Sequence, residues 1–197
     1  MRAADGVWLY WLPLGAGGHL VRFNGRVYES VAARHARRPP QPLFHTALEV
    51  RLAGQRWVVE MTPVWGNSAP DRGVVAEGAV GARLLGRSRL FRYEVRRWRD
   101  GTIGDVAAAV GGARPMRTDP VAARAVLALV PLVPAVTWGR DELRTGEMWN
   151  SNSLVSWLLV RSGHDLTSVV PPERGRAPGW RAGQVAAARS AVPAERR

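Results

Sequence analysis

Phe44-His45-Thr46-Ala47-Leu48-Glu49-Val50-Arg51-Leu52-Ala53-Gly54-Gln55-Arg56-Trp57-Val58-Val59-Glu60-Met61-Thr62 is the stretch that decides the fold. Both halves are rich in β-branched and aromatic residues, and Ala53-Gly54 separates them. The stretch therefore predicts two antiparallel strands, Phe44 to Leu52 and Gln55 to Thr62, joined by a tight turn. Successive side chains of a strand point to opposite faces, which groups His45, Ala47, Glu49 and Arg51 on one face. A two-residue turn sets His45 across from Thr62 and brings Glu60 diagonally beside it. A three-residue loop would send Glu60 to the other face.

Upstream of this hairpin, Val7 to Leu12 reads as a buried strand. Glycines 15, 17 and 18 then turn the chain into a second strand, His19 to Phe23, and Asn24-Gly25 marks a tight turn. Tyr28 to Arg37 reads as a short helix carrying Val31 inward. Arg37 to Pro42 reads as a connector, because its prolines withhold backbone donors. Downstream, residues 66–73 form a loop, and Val74 to Ala82 fits either a strand or a helix. Leu90 to Trp98 sets Phe91, Tyr93 and Val95 against Arg92, Glu94 and Arg96, the alternation of a half-exposed strand. Asp100-Gly101 closes it.

The last third turns helical. Ile103 to Val110 is short and Ala-rich. Asp119 and Pro120 supply the N-cap and first-turn proline of a helix reaching Leu129. A further helix starts near Asn150 or Ser151 and runs to about Ser162, with Gly163 as its stop. Pro171 to Gly179 is loop, and 181–189 reads as a final Ala-rich helix. Strands first and helices afterwards predict an α+β fold, with helices packed on an antiparallel sheet. The expected divisions are 1–42, N-terminal strands and a connector packed on the main domain; 43–180, the main domain; and 181–197, a basic tail.

At 197 residues, 46% hydrophobic and with nine Trp, the chain suits one domain with a substantial core. It contains no Cys, which excludes a thiolate nucleophile, a disulfide and a Cys-bound metal. The net charge is +12, and all 28 basic residues are Arg. Coding bias explains Arg in place of Lys but not the excess of base over acid. Scattered solvated arginines are the expected reading. The alternative is a nucleic-acid or anionic-surface face at Arg92, Arg96, Arg97, Arg99 and the C-terminal arginines, with Tyr93 and Trp98 among them. The apolar run Val7 to Leu14 is far shorter than the roughly 20 residues of a transmembrane helix. It also lacks the marks of a signal peptide, so a cytoplasmic location is expected.

Four histidines are present. His19, His35 and His164 have no evident companions, and no pair shows metal-ligand spacing, so neither a metal nor another cofactor is expected. His45 stands out because Glu60 shares its face and could orient it. The second notable run is Asn150-Ser151-Asn152-Ser153 at the start of an apolar helix. Asn and Ser are ordinary N-caps, yet four in a row exceed one cap. A helix start also offers free N–H groups and a positive dipole, which suit a nucleophile or an oxyanion.

Together, Phe44-His45-Thr46-Ala47-Leu48-Glu49-Val50 and Asn150-Ser151-Asn152-Ser153 resemble the permuted papain-like group of the NlpC/P60 superfamily. The segment Arg176-Ala177-Pro178-Gly179-Trp180 resembles the end of some bacterial members. The likeness spans about 43–180, whereas the N-terminal part is similar to small actinobacterial proteins. The resemblance implies a papain-like fold with a histidine on an early strand and a cysteine nucleophile at a later helix start. Ser151 stands where that cysteine would be. A free thiol ionises near pH ~8.5, within reach of a helix dipole, whereas a serine hydroxyl lies several units higher.

Two functions follow from the resemblance. The first is a non-catalytic pocket or binding module for a small-molecule, peptide or acyl ligand. The second is a serine-dependent amide or ester hydrolase with Ser151 as nucleophile, His45 as base and Glu60 as orienter, in which Asn150, Asn152 and Ser153 line the pocket and oxyanion site.

Overall fold

The computed structural model describes residues 4–15, 29–64 and 71–191. Six strands, β1 (Gly6–Pro13), β2 (Phe44–Leu52), β3 (Gln55–Pro63), β4 (Val74–Ala79), β5 (Arg92–Arg99) and β6 (Arg114–Arg117), form one sheet in the order β4-β5-β3-β2-β1-β6. Every neighbouring pair is antiparallel. The helices are α1, described over 29–35, α2 (Pro120–Leu129), α3 (Ser151–Arg161) and α4 (Trp180–Ala191). The architecture is α+β, a six-stranded antiparallel sheet with helices.

The hairpin that opened the sequence forms as its turn chemistry dictates. Leu52 pairs with Gln55, and Ala53 and Gly54 carry φ of 53° and 76°. Two positive φ values give the turn whose twist matches the strands it joins. Asp119 caps α2 by accepting a hydrogen bond from the Ala122 N–H at 2.7 Å, with Pro120 in the first turn.

Several boundaries move. β1 is not a strand of a packed-on extension; it lies inside the sheet between β2 and β6. β6, Arg-Pro-Met-Arg, carries no strand pattern, and its Pro115 is tolerated because the strand is at the sheet edge. Residues 74–82 resolve into β4 and a turn. Residues 103–110 yield only a single 3-10 turn, Val106–Ala108, since Gly104 and Gly111-Gly112 leave too few residues to sustain an α-helix. In α1 the buried stripe is Glu29 and Ala33, so Val31 points to solvent rather than inward. Glu29 sets that rotation by accepting hydrogen bonds from Arg38, the Gln41 N–H and Arg176. The expected strand His19 to Phe23 and the Asn24-Gly25 turn lie outside the described residues.

The main core lies between the sheet and the helices. Val7, Leu9 and Trp11 of β1, Leu48 and Val50 of β2, and Tyr93 and Val95 of β5 meet Val126 of α2, Leu154, Leu158 and Leu159 of α3, and Ala186 and Ala187 of α4. Ser151 through Leu159 are all buried, because α3 has the sheet on one side and α4 on the other. The first part of the expected basic tail is therefore a core helix.

The opposite face of the sheet carries a smaller apolar cluster of Tyr10, Leu12, Ala47, Val58 and Ile103. Beside it lie charged side chains. β5 is not half-exposed: Glu94 and Arg96 on this face are 0% and 2% exposed, against the expectation from alternation alone. They pair with each other and with Glu60 and Arg72.

A second ionic pin holds the segment that follows α2. Glu142 accepts hydrogen bonds from Arg83 at 3.0 and 3.1 Å and from the Thr137 hydroxyl at 2.8 Å. These bonds, Arg83's first, hold its carboxyl down at about 2. A carboxyl lowered by folding contributes stability that is complete above its ordinary pKa of 4.5 and is lost as pH falls towards 2. Glu142→Gln is thus expected to be less stable than the wild type by a constant amount above about pH 5.5, with the gap closing at lower pH. Urea titrations at pH 7 and pH 3 check this. A gap that stays the same at both would remove Glu142 from the acid response.

Candidate functional site

The polar start of α3 is built from its cap outward. Asn150 Oδ1 accepts hydrogen bonds from the N–H groups of Asn152 (2.9 Å) and Ser153 (3.3 Å), and the Asn150 N–H donates to Ser153 Oγ at 3.1 Å. This is a reciprocal capping box. The polar atoms left over are also taken. Asn150 Nδ2 donates to the Pro178 carbonyl at 2.8 Å, and the Ser153 hydroxyl donates to that of Gly179 at 2.8 Å. Asn152 Nδ2 donates to the carbonyls of Phe44 and Pro178, while its Oδ1 accepts from the Thr46 hydroxyl at 3.0 Å. Gly179, at φ 85°, lets the chain pass so close that a Cβ there would press on Asn150 Oδ1 and Ser153 Oγ.

The surplus of polar residues in Asn150 to Ser153 is thereby explained. One pair caps the helix, and three side chains fasten the strand β2 and the approach to α4 onto it. Asn150, Asn152 and Ser153 do not line an oxyanion site, since the N–H groups of Asn152 and Ser153 already serve the cap. Ser151 is buried at the first position of α3. Among the described residues its hydroxyl makes no hydrogen bond.

His45 is not its partner. Thr46 reaches Asn152, so Thr46 is the β2 side chain that faces α3. Strand alternation then turns His45 to the other side of the sheet. There Leu12 pairs with His45, and Asp105 Oδ2 lies 3.7 Å from His45 Nε2, an ion-pair contact longer than a hydrogen bond. The sheet stands between His45 and Ser151, and the nucleophile–base pair expected from the sequence does not assemble.

His45 and Glu60 do share a face, because the two-residue turn fixes the register that places them there. Burial pushes the Glu60 carboxyl up, and the pull of Arg96 and of His45 offsets this only in part. Glu94 behaves oppositely. Burial pushes it up, but hydrogen bonds from Arg72 and Arg96 more than cancel that and hold it below the usual range. The face thus presents His45, Asp105 and Glu60, all partly open to solvent, backed by the buried Glu94–Arg96 pair. Asp105 escaped the sequence reading because it sits in a glycine-flanked loop with no periodicity to place it. Thr46 escaped because nothing local says which side of β2 meets a helix about a hundred residues later. Among the described residues, no group of three or more His, Asp or Glu side chains stands together as a metal site.

The arginines expected to form a polyanion face are mostly occupied within the fold. Arg96 is buried between Glu60 and Glu94, Arg92 pairs with Glu77, and Arg97 donates to the Leu127 carbonyl. Arg99 alone of these four is largely exposed, beside Asp100. Tyr93 lies in the core. Tyr93 therefore stacks with no free arginine row: it is enclosed by the core, Arg97 on its own face is held by α2, and Arg92 and Arg96 lie on the opposite face with Trp98. Among the described residues no helix is long and apolar enough to cross a membrane.

No family model, no curated protein and no solved structure matches this chain.

Proposed function

We propose that the chain is a non-catalytic relative of the permuted papain-like group, a binding module in which the former catalytic helix start has become a structural joint. The observation that carries this reading is the position of Thr46. The strand that bears His45 docks against the start of α3 and presents a threonine there. A helix-start serine with no imidazole beside it has no group to take its proton during attack.

The first-turn N–H groups support the same conclusion. An oxyanion hole needs donors aimed at empty space, and the Asn150 cap engages two of them. A peptide or small-molecule ligand with hydrogen-bond donors or positive charge fits the other face of the sheet, where Asp105 and Glu60 flank His45.

The test is labelling with a fluorophosphonate probe that modifies activated serines. Wild type and Ser151→Ala are expected to remain equally unlabelled, and their unfolding free energies are expected to differ by no more than about 1 kcal/mol. Labelling of the wild type that disappears in Ser151→Ala would overturn the proposal in favour of a serine hydrolase.

A further inference from the structure

Four large apolar side chains crowd the connection between β4 and β5. Leu84, Leu85, Leu90 and Phe91 are 78%, 43%, 65% and 42% exposed. They sit on two consecutive 3-10 turns, Arg83–Arg87 and Arg89–Phe91. Isolated exposed leucines are ordinary on a protein surface, but four large hydrophobic residues within eight positions make a patch that calls for a partner.

The charge of the same segment says what kind of partner. From Gly78 to Tyr93 there is no acidic residue, while arginines stand at 83, 87, 89 and 92. Arg83 is committed to Glu142 and Arg92 to Glu77. Arg87 and Arg89 are exposed and make no ion pair among the described residues. They lie between Leu84-Leu85 and Leu90-Phe91 in sequence, so cationic heads sit between two apolar pairs along one short stretch.

The segment is also held in place. The Gly81 N–H donates to the Trp138 carbonyl at 2.9 Å, the Trp138 N–H donates to the Ala79 carbonyl at 2.9 Å, and Arg140 Nε donates to the Gly81 carbonyl at 2.7 Å. Arg83 ties the first turn to Glu142, and the Ser88 and Phe91 N–H groups close the two turns. The patch is thus presented by an ordered element beside the edge strand β4, and docking need not order it first.

We infer that residues 83–91 dock on the surface of an anionic lipid bilayer. Leu84, Leu85, Leu90 and Phe91 would enter the boundary between headgroups and acyl chains, and Arg87 and Arg89 would meet lipid phosphates. The net charge of +12 draws the whole molecule to the same surface. A single-stranded nucleic acid fits less well. Such sites rely on aromatic faces for base stacking, and three of the four apolar side chains here are aliphatic. This surface is separate from the face discussed under the proposed function, and does not depend on it.

Sedimentation of the full chain with vesicles tests the inference. Phosphatidylcholine vesicles with about one-third phosphatidylserine are expected to bind the protein, and pure phosphatidylcholine vesicles to bind it far less. Arg87→Gln with Arg89→Gln is expected to weaken binding by about 25-fold, roughly fivefold for each charge. Leu84→Ser with Leu90→Ser is expected to weaken it by tenfold or more, on the order of the loss of a buried leucine, and to do so at high as well as low salt. All four residues are exposed, so circular dichroism should be unchanged in both variants. Absence of binding to the anionic vesicles would overturn the inference. So would binding that neither double variant alters, since the contact would then lie elsewhere. Retardation of a single-stranded oligonucleotide that both double variants abolish, without vesicle binding, would assign the patch to nucleic acid instead.

Discussion

Arg96→Ala is expected to cost about 3–5 kcal/mol of folding stability, the range seen when one partner of a buried ion pair is removed. Arg96 is almost wholly buried, and it donates to Glu60 at 3.0 Å and to Glu94 at 2.5 Å. Truncation leaves Glu94 fully buried and Glu60 largely so, each without this guanidinium. Glu94 keeps Arg72, which donates to it at 2.8 and 3.1 Å. Glu60 loses its main counter-charge. Its carboxyl, raised by burial even in the wild type, rises further without Arg96.

The sign of the pH dependence follows. A carboxyl whose pKa is raised by folding binds its proton more readily in the folded state, so stability falls as pH climbs through that window. The deficit of Arg96→Ala should therefore be largest near pH 8 and smaller near pH 5, where Glu60 is nearer to protonation. Urea unfolding at the two pH values measures it. A loss below about 1 kcal/mol at pH 8 would mean that the cluster is hydrated rather than buried. The companion variant Arg96→Met with Glu60→Gln should recover part of the loss, because replacing a buried charged pair together avoids leaving one charge alone.

Gly183→Ala should be the most damaging of the small substitutions. In an exposed helix interior, alanine in place of glycine gains up to about 1 kcal/mol. At position 183 a Cβ would overlap the Ser153 carbonyl oxygen and the Ser156 hydroxyl, and would come within 2.8 Å of the Trp157 nitrogen. Two of these are backbone atoms of α3 and cannot rotate away. The helices must separate, which also strains the bond from the Ser156 hydroxyl to the Trp180 carbonyl at 2.7 Å. The expected net loss is about 2–3 kcal/mol, seen as a fall in Tm of about 5–10 °C for a chain of this size. Gly104→Ala is the control, since a Cβ there meets nothing within 4 Å. A Gly183→Ala protein as stable as the wild type would show that α3 and α4 do not approach as closely as described.

These two sites also show where local sequence reading stops. Gly183 sits in an Ala-rich stretch that reads as a helix whichever small residue is present. Its necessity comes from α3, about 30 residues away. Arg96 reads as the solvent side of an alternating strand, and it would be, had Glu60 and Arg72 not been brought to the same place. A charged side chain can be buried when its partners arrive with it, and partners on other strands leave no mark on the strand itself.

The hairpin Phe44 to Thr62 was legible in full, since a two-residue turn between two β-rich runs fixes both pairing and register locally. The cap at Asp119 was equally legible, and the start of α3 was placed to within one residue, because capping is decided within four residues. The same alternation that defines β2 divides its side chains into two sets, His45 with Ala47 and Glu49, and Thr46 with Leu48 and Val50. Sequence alone determined those sets, and a two-residue turn placed Glu60 with the first. Only the tertiary structure decided which set meets α3. Both sets contain polar and apolar residues, and the choice rests on which face buries more apolar area against helices that come much later in the chain. That choice put Thr46 at the helix start and His45 behind the sheet, which separates the two residues expected from the sequence to form a catalytic pair.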